Sequence, residues 1–212
     1  MNALKKLLCC TMLLSTVSCT LQKNDHSALP SAHNSSQHSI HNHSSSKNSA
    51  PMKVQKPNRK SYSYQQVIHG SIDKIMPLYC PVRELDWCEN WQPNIVISNS
   101  GIVEKDCIFT TNHGDLEVVW VVTEYDIAKG LVEMYYHVPK TLITKLSIQV
   151  QSIDEQTSQA RLTYTKTALS PSGDKVLEKF TKEGYDIMMD SWEKAMNHYL
   201  KTGEMLTGLP NF

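Results

Sequence analysis

The chain has 212 residues, with 21 Lys/Arg balancing 21 Asp/Glu. The zero net charge hides a split: residues 1–60 hold eight Lys/Arg and one acid (+7), residues 61–212 thirteen and twenty (−7). An acidic folded part argues against nucleic acid as its partner. The roughly 150 residues after position 60 suffice for one hydrophobic core.

Lys5 and Lys6 precede an eleven-residue apolar run, Leu7 to Val17. A bilayer-spanning helix needs about 20 such residues, so the run fits a secretory signal segment instead. It ends in Thr16-Val17-Ser18-Cys19, similar to a bacterial lipobox, although Thr16 stands where leucine is usual. The expectation is a signal peptide over 1–18, lipidation at Cys19 and attachment to a membrane through that lipid. Thr20 rather than aspartate after the cysteine implies an outer-membrane lipoprotein facing the periplasm or cell surface.

Residues 19–60 read as a tether. Between His26 and Ala50 there are nine Ser, five His and three Asn. Such a segment cannot bury enough surface to offset an ordering entropy of roughly 1–2 kcal/mol per residue. Its histidines (His26, His33, His38, His41, His43) lack a fixed geometry for selective metal binding, and a solubilising role is expected.

The domain is assigned to 61–205, with a tail over 206–212. Ser61–His69 suits a strand. Ile72, Ile75, Met76 and Tyr79 have helical spacing, and Pro81 separates that short helix from a second over Val82–Trp91. Period-two patterning then predicts strands at Asn94–Ser98, Asp106–Thr111, Leu116–Tyr125, Val132–Val138, Leu142–Val150 and Ala160–Thr167. Short connections between them make the sheet antiparallel. After the Ser170–Asp174 break, Lys175–Thr202 reads as one long helix with Leu177, Phe180, Met188, Trp192, Ala195 and Tyr199 on a stripe. Gly184, on the same stripe, suggests close approach by a facing element.

Cys80, Cys88 and Cys107 are an odd set. On one continuous helix Cys80 and Cys88 would lie about 12 Å apart, so a bridge between them requires a turn at Pro81. Buried thiols are the expected state. His69, His113 and His137 have no partner at metal-ligand spacing. No nucleophile–histidine motif or phosphate loop is present, so neither metal nor cofactor is expected.

The order of elements, with Tyr79-Cys80-Pro81-Val82-Arg83-Glu84-Leu85-Asp86-Trp87, Ser100-Gly101-Ile102-Val103-Glu104, Cys107-Ile108-Phe109-Thr110-Thr111 and Trp120-Val121-Val122-Thr123-Glu124-Tyr125-Asp126, resembles the SRPBCC superfamily of START-like domains. The resemblance implies an α+β helix-grip fold. In it a curved antiparallel sheet wraps around a long C-terminal helix, with two short helices after the first strand. It also implies a cavity for a small hydrophobic molecule between sheet and helix. Candidate wall residues on the helix are Phe180, Met188, Trp192, Met196 and Tyr199; on the sheet they are Trp120, Tyr136 and Tyr164. For any one of them, a place in an ordinary packed core is the favoured reading over ligand contact. Trp87 and Trp91, four apart, would share one helix face and close an end of the cavity. Glu84 among apolar neighbours is the candidate acid–base group, although the favoured reading is that it supports the helix N-terminus while Arg83 forms a surface ion pair. Two alternatives to a binding module stand: an enzyme of cyclase, dehydratase or hydrolase type using a cavity carboxylate, and a protein-interaction module.

Overall fold

The computed structural model describes residues 52, 54–113 and 116–210. The signal segment, Cys19 and the tether histidines lie outside the described residues, as does the side chain of His113. Alternation of buried and exposed side chains produces β1 (Arg59–Ile68), β2 (Pro93–Ile97), β3 (Ile108–His113), β4 (Leu116–Asp126), β5 (Leu131–Val138), β6 (Leu142–Ser152) and β7 (Ser158–Ala168). They form one seven-stranded antiparallel sheet in the order β1-β7-β6-β5-β4-β3-β2. Each lies within two residues of the expected strand. Gly130 turns β4 into β5 at φ +63°, where a Cβ would stand 2.1 Å from the Val150 carbonyl oxygen.

The register sorts the inward face into rows. Val150, Ala160 and Gln66 form one row, and Val132, Ile148, Leu162 and Tyr64 the next. Both are packed solid by Ile75 and Met76, which have no exposed surface. Toward the other end come Met134, Leu146, Tyr164 and Tyr62, then Phe109, Trp120, Tyr136, Thr144, Lys166 and Lys60. There the core is hollow.

The helical parts differ from expectation. The first short helix is α1, a single turn (Ile72–Ile75), continued as a 3₁₀ turn over Met76–Tyr79. Pro77 allows no regular helix beyond that point. The second is a 3₁₀ turn over Arg83–Asp86, and it stops before Trp87 and Trp91. The long helix divides into α2 (Pro171–Lys179) and α3 (Lys182–Thr202). Phe180 is extended (ψ 97°), and Thr181 caps α3 by accepting a hydrogen bond from Gly184 N at 3.1 Å. This resets the phase, so the buried seam of α3 runs through Tyr185, Met189 and Met196. Gly184 is exposed; within α2 it is Gly173 that is closely approached, where a Cβ would meet the Thr141 carbonyl oxygen at 2.0 Å.

Two boundaries also move. Arg59 and Lys60, assigned to the tether, open β1, where Arg59 Nε donates to Thr167 Oγ1 at 2.8 Å. In the tail, Leu209 packs against the core. Cys80, Cys88 and Cys107 are free thiols, and Cys80 Sγ accepts a hydrogen bond from Val103 N at 3.1 Å.

Gln66 ties β1 to the helical layer from a fully buried position. Its Nε2 donates to the Met189 carbonyl at 2.8 Å and its Oε1 accepts from the Tyr79 hydroxyl at 3.1 Å. Replacing it by leucine leaves the buried phenol without a partner, so Gln66→Leu is expected to cost about 1–3 kcal/mol in urea denaturation. Adding Tyr79→Phe to Gln66→Leu should then cost less than the sum of the two single changes.

Candidate functional site

A cavity of about 1070 Å³ lies between α3 and the hollow end of the sheet. All four tryptophans of the chain line it, carried by three different parts of the fold. Trp87 and Trp91 follow the 3₁₀ turn, Trp120 stands on β4 and Trp192 on α3. Trp87 meets Trp192 edge-on at 5.8 Å, and its Nε1 donates to the Leu78 carbonyl at 2.9 Å. Trp91 Nε1 donates to the Pro81 carbonyl at 2.7 Å, which fixes the ring against Phe109 and Trp120 without a helix.

Two aromatic groups form the walls. Phe109 stacks on Trp120 at 5.2 Å, and Trp120 packs on Tyr136 at 4.3 Å. Trp120 Nε1 donates to Thr111 Oγ1 at 2.9 Å. On the other side Phe180 lies 4.9 Å from Tyr62 and 5.9 Å from Tyr185, which in turn meets Tyr164 at 5.8 Å. The Tyr185 hydroxyl donates to the Leu162 carbonyl at 2.7 Å, anchoring α3 to β7.

Of the sequence candidates, Glu84, Trp87, Trp91, Trp120, Tyr136, Tyr164, Phe180, Met188 and Trp192 all line this cavity. Met196 and Tyr199 are not among its lining residues. Met196 is fully buried in the core, and the Tyr199 hydroxyl donates to Asp86 Oδ2 at 3.3 Å. Arg83 pairs with Asp86 at 2.6 Å on the half-exposed surface, and its Nη2 donates to the Tyr199 hydroxyl. Sequence reasoning missed Phe109, Met134, Leu146, Tyr185 and Lys166. The cross-strand register alone reveals the strand residues, and the phase reset at Thr181 hides Tyr185. Leu209 and Pro210 of the tail also line the cavity, held where Gly208 N donates to Glu89 Oε2 at 2.7 Å.

Glu84 is the polar residue with the most chemistry. The 3₁₀ turn is pinned by Glu84 N donating to the Cys80 carbonyl at 2.7 Å, and the residue is only 7% exposed. Among the described residues nothing hydrogen-bonds or ion-pairs with its carboxyl. Burial alone pushes its pKa up to about 8. The carboxyl is therefore mostly protonated at neutral pH and able to donate. It lies close enough to Tyr164 to add to the upward shift that burial imposes on that phenol. Burial and Glu84 together push the neighbouring Cys88 thiol up to about 12, so no thiolate is available there. Among the described residues, no three His, Cys, Asp or Glu side chains gather as a metal site.

No protein-family model and no curated protein matches the chain. Solved structures do. Truncated norcoclaurine synthase from Thalictrum flavum matches with a TM-score of 0.53 at 12% identity, covering 71% of this chain and 98% of that one. A point mutant of the Thalictrum flavum synthase in complex with a transition-state analogue gives 0.52 at 11%, covering 71% and 99%. An uncharacterised protein from Rhizobium leguminosarum gives 0.50 at 9%, covering 69% and 99%. The fold is helix-grip. At these identities the likeness is one of architecture, and function rests on the site.

The Glu84 shift has a consequence for stability. The folded state holds a proton on Glu84 that the unfolded chain releases near pH 4.5. Its stabilising contribution is thus complete below pH 4.5 and lost as pH rises through about 8. Each pH unit in that window corresponds to about 1.4 kcal/mol at most. Urea denaturation at pH 5, 6.5 and 8 should show the wild type losing stability relative to Glu84→Gln as pH rises. A constant difference between the two proteins would show that Glu84 is not buried as described.

Proposed function

We propose that this chain is a binding module that holds a small hydrophobic molecule in the cavity between sheet and α3. The carrying observation is the cavity itself: about 1070 Å³ walled by aromatic side chains that pack on one another rather than filling the space. Apolar pockets with few polar groups are the usual form of small-molecule sites. Norcoclaurine synthase from Thalictrum flavum, similar in fold, has a structure in complex with dopamine and hydroxybenzaldehyde. Native mass spectrometry of the protein purified from its own host should show a bound small molecule, released on denaturation. Because all four tryptophans line the cavity, removing that molecule should change the fluorescence spectrum. A protein consistently free of ligand, with tryptophan emission unresponsive to apolar probes, would overturn the proposal.

The unpartnered Glu84 carboxyl supports a second reading, in which it acts as acid or base on the molecule held. With a pKa near neutrality, it suits either role. Under this reading Glu84→Gln retains its bound molecule while the wild type converts it to a product of different mass or retention time. Identical release from both proteins would leave binding alone.

We propose in addition that Cys19 is lipidated and tethers the domain to the outer membrane, on the periplasmic or cell-surface side. The lipobox-like Thr16-Val17-Ser18-Cys19 supports this. Growth of the native host with an alkyne fatty acid should label the wild type and not Cys19→Ser. Equal labelling of both would rule out Cys19 as the acceptor.

A further inference from the structure

The inward row that carries Phe109, Trp120 and Tyr136 ends in two lysines. Lys166 on β7 and Lys60 on β1 are directly opposite each other in the register and so share the inward side of the sheet, where Lys166 lines the cavity and Lys60 does not. Like charges in that position destabilise a strand pair unless something compensates them. Both converge on Phe180, the residue that interrupts the helical run. Lys166 Nζ stands 4.4 Å from the centre of its ring, and Lys60 Nζ donates to its carbonyl at 3.0 Å. Lys179, at the end of α2, joins Lys166 in lining the cavity.

Among the described residues none of these three lysines pairs with an acid. This is unusual within a domain whose net charge over 61–212 is −7. Burial lowers the pKa of Lys166, with no carboxylate close enough to offset that cost. The exposed side chains of Val176 and Lys179 also line the cavity.

Polarity inside the cavity therefore runs in one direction. Tyr164, which feels Glu84, and Lys166 occupy successive inward positions of β7, about 7 Å apart along the strand. The neutral Glu84 carboxyl supplies no positive charge, whereas Lys166 is a cation without a carboxylate partner among the described residues. We propose that the ligand is an amphiphile with a single anionic head: its apolar body lies among the tryptophans, and its head sits on Lys166, which lines the cavity together with Lys179. The inference rests on the cavity being a ligand site and adds the class and orientation of what it takes. Carboxylate and phosphate monoester heads share the required chemistry.

Binding of four twelve-carbon probes to the full chain tests this, read by tryptophan fluorescence and confirmed by calorimetry at low salt. The probes are dodecanoate, dodecyl phosphate, dodecanol and dodecylammonium. At least one of the two anions should bind about tenfold or more tighter than dodecanol, a difference of about 1.4 kcal/mol. The stronger anion identifies the head. Dodecylammonium should bind more weakly than dodecanol. Lys166→Met keeps the apolar stem and should bring the anion to within about twofold of dodecanol measured on the same variant. Lys166→Arg should preserve the preference. If dodecanol binds as tightly as both anions, the head-group assignment fails while the cavity remains a ligand site. If no probe binds, both proposals fall together.

Discussion

Everything in this structure depends on how α3 is fastened to the free edge of β1. An edge strand presents unpaired backbone groups, and proteins must cover or blunt them. Here one face of the helix does so with side chains four residues apart. Glu193 Oε1 accepts from Val67 N at 3.1 Å, Asn197 Oδ1 accepts from His69 N at 2.8 Å, and Asn197 Nδ2 donates to the Val67 carbonyl at 2.9 Å. Inside that edge, Gln66 adds its buried bond to the Met189 carbonyl. The helix is thereby drawn toward β1 rather than laid across the centre of the sheet. Space is left over β3, β4 and β5.

That space stays open because its walls are supported from within the sheet. At the solid end, small and branched side chains such as Ala160 and Val150 let Ile75 and Met76 pack down. At the hollow end, large rings stand side by side along one cross-strand row. Phe109, Trp120 and Tyr136 each bury one face on a neighbour, and Trp120 is held in addition by Thr111. A row of stacked rings gains its packing along the sheet. It needs no helix side chain on top.

The strands were legible because period-two burial acts within a few residues. A signal such as Val118, Trp120 and Val122 needs no knowledge of the partner strand. Helical spacing was less informative where the chain was short or interrupted. The spacing of Trp87 and Trp91 suggested a shared helix face, yet tryptophan-to-carbonyl bonds position both rings without one. The break at Phe180 follows from a local competition that apolar spacing cannot register. Thr181 offers a cap to Gly184, and Phe180 gains an aromatic nest by leaving the helix. Which site residues gather was partly legible from residue type alone. The lysines at the row's end were not, since only the pairing of β1 with β7 places Lys60 opposite Lys166.

The two features that break the ordinary rules of a core, a carboxyl and an ammonium, line the same cavity. A buried carboxyl without a partner and a partly buried ammonium without a counterion each cost stability through desolvation. Pairing them with each other would have relieved both, and the fold does not do so. Glu84 is set by the 3₁₀ turn, while the Lys166 ammonium lies over the Phe180 ring. The separation depends on the interruption at Phe180, because a helix running through that residue would bring neither its ring nor its carbonyl to the lysines. Local sequences that sacrifice stability without visible compensation are characteristic of functional sites. The wall between Glu84 and Lys166 is apolar and aromatic, so a molecule of the proposed kind would have to be apolar along most of its length.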